Sequence, residues 1–306
     1  MGFYILVILA SCIFGSNFLL DNQYQRRVGS GLKVSLFHTL IGGGAGLIAL
    51  IATNFFLNGM SFNFEFHPAT FIIALLAALN GIVYTFCSLR ALGVINLSLY
   101  SVFAMLGGML LPSLLGFIIV DPATGARDPF TLAKAVCFAC IIAALLLTVQ
   151  KGESKKGKIY YIGVFILNGM SGVLNTLLKK FTYVDNETYM EGISSGYSVI
   201  TAVYAIAIAA VLLLTVCRKE KNTVTLRAAS FAAAGGALNR GANFMLAISI
   251  MLEGAQPSLQ YPIVTGVVMI VSTLLCYFTP NKPSKRDLLS VAFALAGVVA
   301  LMVIPL

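Results

Sequence analysis

About ten times along this chain a run of roughly 20 residues passes with almost no charge, and that recurrence leaves few folds open. Such a run, coiled as a helix, spans the ~30 Å of a bilayer's hydrocarbon. Within hydrocarbon every backbone N–H and C=O must be paired by the protein itself, which leaves helices and closed barrels. Barrel strands alternate apolar and polar residues. These runs do not, so they are read as helices.

The runs fall at about 2–20, 34–57, 69–90, 96–120, 131–149, 159–178, 194–217, 226–250, 259–279 and 287–305. Punctuation stands where helices should end, at His67-Pro68, Asp121-Pro122, Asp128-Pro129, Pro280 and Pro283. Composition agrees: 59% of residues are hydrophobic and 10% charged, against about 25% charged in a soluble domain. The expected class is an all-α polytopic membrane protein with ten transmembrane helices. The first run begins almost at Met1 without a basic leader or an A-x-A cleavage site, and is expected to be retained. All six cysteines lie inside apolar runs and read as small packing residues, not a disulfide framework. Cys137 and Cys140 have C-x-x-C spacing but no companion ligands, so neither metal nor cofactor is expected.

The charges give an orientation. Most of the 20 Lys and Arg fall in the odd-numbered loops, in clusters such as Arg26-Arg27, Lys155-Lys156-Gly157-Lys158 and Lys285-Arg286. The positive-inside bias places those loops in the cytoplasm and both termini outside. The +9 net charge is therefore a topology signal. Basic residues scattered over short loops make no surface for nucleic acid.

The halves 1–150 and 151–306 resemble each other at an offset of about 160 residues. Ile8-Leu9 through Asn17-Phe18-Leu19-Leu20 matches Ile166-Leu167 through Asn175-Thr176-Leu177-Leu178, and Ala78-Leu79-Asn80 matches Ala237-Leu238-Asn239. Five helices per half is an odd number, so the halves are expected to be inverted relative to each other. Inverted five-helix repeats place a substrate site near the midplane, between the halves.

Polar residues within the runs mark candidate substrate contacts. Asn17 and Asn175 are repeat partners; Asn80 with Tyr84, and Asn239 with Asn243, are spaced to share one helix face. Interhelical hydrogen bonding, worth ~0.6 kcal/mol on average, is the plain alternative for any one Asn. Arg240 is the sharper case, because an arginine at the bilayer centre costs about 2.5–3.5 kcal/mol on insertion scales. Glu253 is some 20 Å further along a helix, out of reach. With the first run ended at Leu20, no Asp or Glu falls deep in a span, which argues against a simple cation/proton exchanger. Tyr100, Gln260 and Tyr261 lie near matched places in segments four and nine, the last two beside Pro262, whose ring frees a carbonyl. Gly42-Gly43-Gly44-Ala45-Gly46 and Gly107-Gly108 lack a following Lys-Ser/Thr, so they are expected to mark close helix packing, not a phosphate loop. Gly169-Met170-Ser171-Gly172 spells the serine motif of intramembrane proteases, but neither His38 nor His67 falls at the depth a base would need. No enzyme activity is expected.

The chain resembles the drug/metabolite transporter superfamily, in its EamA-like ten-helix type. The resemblance rests on the five-plus-five repeat, on Leu89-Arg90-Ala91-Leu92-Gly93-Val94-Ile95-Asn96-Leu97-Ser98-Leu99 followed by Pro112, and on a second copy ending Gly254-Ala255-Gln256-Pro257-Ser258, then Pro262. The chain has no G-E-R-like element and no Trp, and its outside termini are more similar to the rhamnose-permease branch. The resemblance implies a small-molecule substrate, a bacterial inner (plasma) membrane location and protons as a candidate coupling ion. The function expected is a gradient-driven carrier of a small polar metabolite or drug-like compound. The alternative is a non-transporting regulatory or assembly module of the membrane.

Overall fold

The structure is a computed structural model of the 306-residue chain. It describes residues 2–57, 68–118, 131–148, 155–183, 189–216, 224–249, 257–280 and 282–303. Among these there are ten helices and no strand: α1 (Gly2–Val28), α2 (Leu32–Leu57), α3 (Pro68–Leu92), α4 (Leu97–Ile118), α5 (Leu132–Thr148), α6 (Lys155–Tyr183), α7 (Tyr189–Val216), α8 (Leu226–Ser249), α9 (Pro257–Cys276) and α10 (Lys285–Val303).

The apolar runs and the helices coincide closely, with one consequential difference. The first helix does not stop at Leu20 but continues through Asp21-Asn22-Gln23 to Val28. Asn22 and Tyr24 are buried there, so this polar stretch packs against protein where hydropathy reads a loop. Gly29 closes the helix in the left-handed region (φ 83°), its N–H donating to the Gln25 carbonyl at 2.7 Å. Asp21 therefore lies about two turns inside α1.

Several other ends are capped by side chains. Asn96 accepts from the Leu99 N–H at 2.8 Å at the head of α4. Ser284 and Asp287 form a reciprocal capping box at α10, at 2.9 and 3.2 Å. The amide of Asn96 also donates to Asp287 at 2.7 Å, tying α4's start to α10's.

Among the described residues four helices are long and apolar enough to cross a membrane: 2–28, 32–56, 68–92 and 198–216. Their outward faces are apolar in mid-helix, as at Ile48 (71% exposed) and Ile206 (57%). In water such a surface would aggregate; against lipid tails it needs no covering.

Helix packing recurs in matched pairs. α1 lies along α8 as α6 lies along α3; α1 meets α9 as α6 meets α4; α2 meets α8 as α7 meets α3. The helices α2 with α7, α4 with α9, and α5 with α10 also pack on one another. Glycines set the closest approaches, as the sequence led one to expect. A Cβ on Gly236 of α8 would fall on the Gly42 carbonyl of α2, and one on Gly107 of α4 on the Phe165 carbonyl of α6. Gly172 stands in the same relation to Gly108, at 2.9 Å. The centre of the bundle stays open.

Candidate functional site

That opening is a cavity of about 430 Å³ lined by α1, α2, α3, α4, α6, α7, α8 and α9. Its wall is aromatic and aliphatic on one part, with Phe14, Phe18, Met105, Leu246 and Val264, and glycine backbone at Gly42, Gly43, Gly46 and Gly81 on another. Set into it are Asn17, Asp21, His38, Tyr84, Asn168, Ser171, Tyr204, Asn239, Arg240, Asn243 and Tyr261.

Arg240 is the first of the sequence candidates. Its guanidinium carbon lies 4.0 Å from the centre of the Tyr204 ring on α7. Its aliphatic stem runs over Gly46 of α2, where a Cβ would come within 3.3 Å of Cγ. The glycine makes room for the stem, and the tyrosine face offers the cation a partner without neutralising it. Arg240 makes no ion pair with any described residue. On the same helix Asn243 donates its amide to the Asn239 carbonyl and side-chain oxygens, both at 2.8 Å, so this pair does share a face.

Asn17 is 5% exposed, and neither its side-chain nitrogen nor its oxygen has a hydrogen-bond partner. An unpaired buried amide costs ~1–3 kcal/mol. The residue belongs to the cavity wall, with the amide itself enclosed in it.

Other candidates are engaged elsewhere. Asn80 is not part of the lining: it donates to the Leu167 carbonyl at 2.9 Å and to Ser171 Oγ at 2.8 Å, stapling α3 to α6. Tyr100 is fully buried behind the wall, its hydroxyl bonded to those of Tyr84 (2.8 Å) and Ser88 (2.7 Å). Only Tyr84 of that chain reaches the cavity. Gln260 donates to the Leu246 carbonyl at 2.7 Å and to Ser249 Oγ at 3.0 Å, joining the end of α8 to α9. Tyr261 is on the wall. Asn175 lies in α6, but its side chain is outside the described residues, as are Glu253 and His67.

One expectation needs correcting. A carboxylate does lie deep in a span: Asp21, carried into the cavity by the longer α1. It accepts from Nε2 of His38 at 2.9 Å. The argument against proton exchange from a shortage of deep carboxylates falls with it. The sequence held a signal for Asp21: with Asn17 and Tyr24 it continues one face at i, i+4 and i+7. Tyr204 and Asn168 were also missed. Asn168 faces Gly108 and donates to the Ala104 carbonyl at 2.5 Å. Ser171, the serine of the protease-like motif, donates to the Leu167 carbonyl at 3.2 Å and accepts from Asn80.

No family model matches the chain, and no curated protein does. Solved structures do match it, 27 chains in all. One of them, a crystal structure of a protein, aligns over 97% of this chain and 95% of its own with a TM-score of 0.58 at 16% identity. At that identity the likeness is one of fold alone, and it extends over nearly the whole of both chains.

Proposed function

We propose that this protein is a secondary, gradient-driven membrane carrier that moves a small polar, anion-bearing compound by alternating access through the central cavity. One observation carries the reading: an open volume of about 430 Å³ at the centre of an apolar helical bundle, lined from both halves of the chain, with the Arg240 guanidinium on its wall and the unpaired Asn17 amide enclosed in that wall. Buried charges and unsatisfied amides are costly in a bilayer and are retained where a ligand or pathway uses them.

The reading takes the ten helices as ten spans in two inverted repeats. The matched packing pairs support it, since each maps onto its partner when every helix is exchanged for the one five places on. The halves then meet at α1, α3 and α4 against α6, α8 and α9, around the cavity, as in carriers whose repeats rock about a midplane site. The EamA-like drug/metabolite transporters and a bacterial inner-membrane location belong to the same proposal, on the sequence elements quoted above. The substrate is bound by Arg240, with Asn17, Asn243, Tyr84 and Tyr261 around it.

An uptake screen in proteoliposomes over amino acids, sugars and organic anions is the decisive experiment. Flux should appear for members of the anion-bearing classes and vanish in Arg240→Ala. Absence of flux for every class would overturn the carrier in favour of a non-transporting membrane module.

A further inference from the structure

The cavity holds two charged sites, not one. Asp21 and His38 are hydrogen-bonded at 2.9 Å, their side chains 21% and 13% exposed. Arg240 lies against Gly46. His38, Gly42 and Gly46 follow one another at i, i+4 and i+8 on the same face of α2; the His38 ring lies 3.9 Å from where a Cβ on Gly42 would sit, so the two sites are within about two turns of each other along that helix. Asp21 in turn faces the glycine pair before Arg240: a Cβ on Gly235 would sit 3.8 Å from its carboxylate oxygen.

A carboxylate only accepts, so Nε2 of His38 carries the hydrogen that bonds Asp21, and a further proton must go to Nδ1. The titratable and charged groups around the pair are few. Tyr24 of α1 packs edge-on against the His38 ring at 4.7 Å and spends its hydroxyl on the Val34 carbonyl. Tyr84 of α3, bonded to Tyr100 of α4, lines the same cavity, as do Tyr204 of α7 and Tyr261 of α9. Arg240 of α8 is the one permanent charge among them.

The charge count links the sites. With a neutral imidazole, Asp21 and Arg240 cancel. A monoanion on Arg240 leaves the cavity one charge negative, and a proton on His38 restores the balance. We propose that Asp21–His38 is a proton-binding site coupled through charge to an anion held at Arg240, so that one monoanion and one proton cross together without net charge movement. The inference rests on the carrier reading and supplies its coupling ion and stoichiometry. Two unit charges on the order of 10 Å apart at an effective dielectric of about 20 interact by roughly one pH unit. By reciprocity the anion binds about tenfold more tightly when His38 is protonated.

The chain has two histidines, so imidazole NMR of the purified full-length protein resolves them, and the signal lost in His38→Gln identifies the one at issue. In Arg240→Gln the protonation of His38 moves to higher pH by about one unit, because a positive charge has left; in Arg240→Lys it stays at the wild-type position. Asp21→Asn moves it the other way. Acetate, compared with chloride at equal ionic strength, raises it in the wild type and leaves Arg240→Gln unmoved. A His38 signal indifferent to Arg240→Gln, or to acetate in the wild type, overturns the proposal. Flux in the uptake screen with an unmoved His38 removes the coupling alone, whereas a moved His38 without flux keeps the linked proton and anion sites but removes the carrier reading and the joint crossing with it.

Discussion

At Arg240 and Asn17, substitutions that leave folding intact are expected to lower flux, which is what separates a proposed ligand contact from scaffolding. Asn17 has no partner for either side-chain atom, so replacing it with Leu, close in size, removes an unpaid desolvation cost. Asn17→Leu is expected to melt at or above the wild-type temperature while flux falls about tenfold, the loss of one or two hydrogen bonds to a ligand. A lower melting temperature would show that the amide holds the fold. Arg240→Ala should insert and fold yet carry no flux, measured in parallel as membrane yield and uptake; normal flux would reduce the residue to packing on Tyr204. Arg240→Lys keeps the charge and loses the planar face stacked 4.0 Å from Tyr204, so it is expected to transport with raised KM. Asn17, Tyr84, Asn239, Arg240, Asn243 and Tyr261 were legible in the sequence because a polar atom in an apolar run is conspicuous. Tyr204 was not. An aromatic ring in such a run carries no signal until its neighbour across the helix interface is known.

At the scale of the helices, glycine decides how near two backbones come. Gly236→Val would drive a side chain into the Gly42 carbonyl between α2 and α8, and overpacking of this kind costs about 1–3 kcal/mol. Thermal unfolding of the purified variant should show the loss, while Gly44→Ala, where a Cβ meets nothing within 4 Å, should melt as the wild type does. Equal melting of the two would mean that α2 and α8 are free to separate. The helix boundaries were legible to within a few residues except at α1. There a local hydropathy reading ends the span at Asp21-Asn22-Gln23, whereas burial of Asn22 and Tyr24 carries the helix on. Asn80 and Gln260 show the converse limit. Both are polar residues in apolar runs, as a ligand contact would be, and both are consumed by neighbouring helices, at Leu167 and Ser171 and at Leu246 and Ser249.

For the whole molecule the orientation is the testable quantity. The basic loops should lie in the cytoplasm, so a cysteine introduced into the loop at 151–158, in a background lacking the six native cysteines, should resist an impermeant thiol reagent in intact cells. Labelling there would reverse the topology. The sequence alone determined that the chain is helical, where its helices run and which residues break their apolar surface. It could do so because hydropathy sums along a segment, and a segment of ~20 apolar residues in lipid has one way to pair its backbone. Only the tertiary structure decided what the polar breaks meet. The cavity depends on eight helices drawn from both halves of the chain, and the Asp21–His38 pair and the seat of Arg240 on Tyr204 each depend on where two separate helices stand relative to one another. Glycines fix the closest approaches between α2 and α8 and between α4 and α6, and periodicity along one helix contains no information about its neighbour.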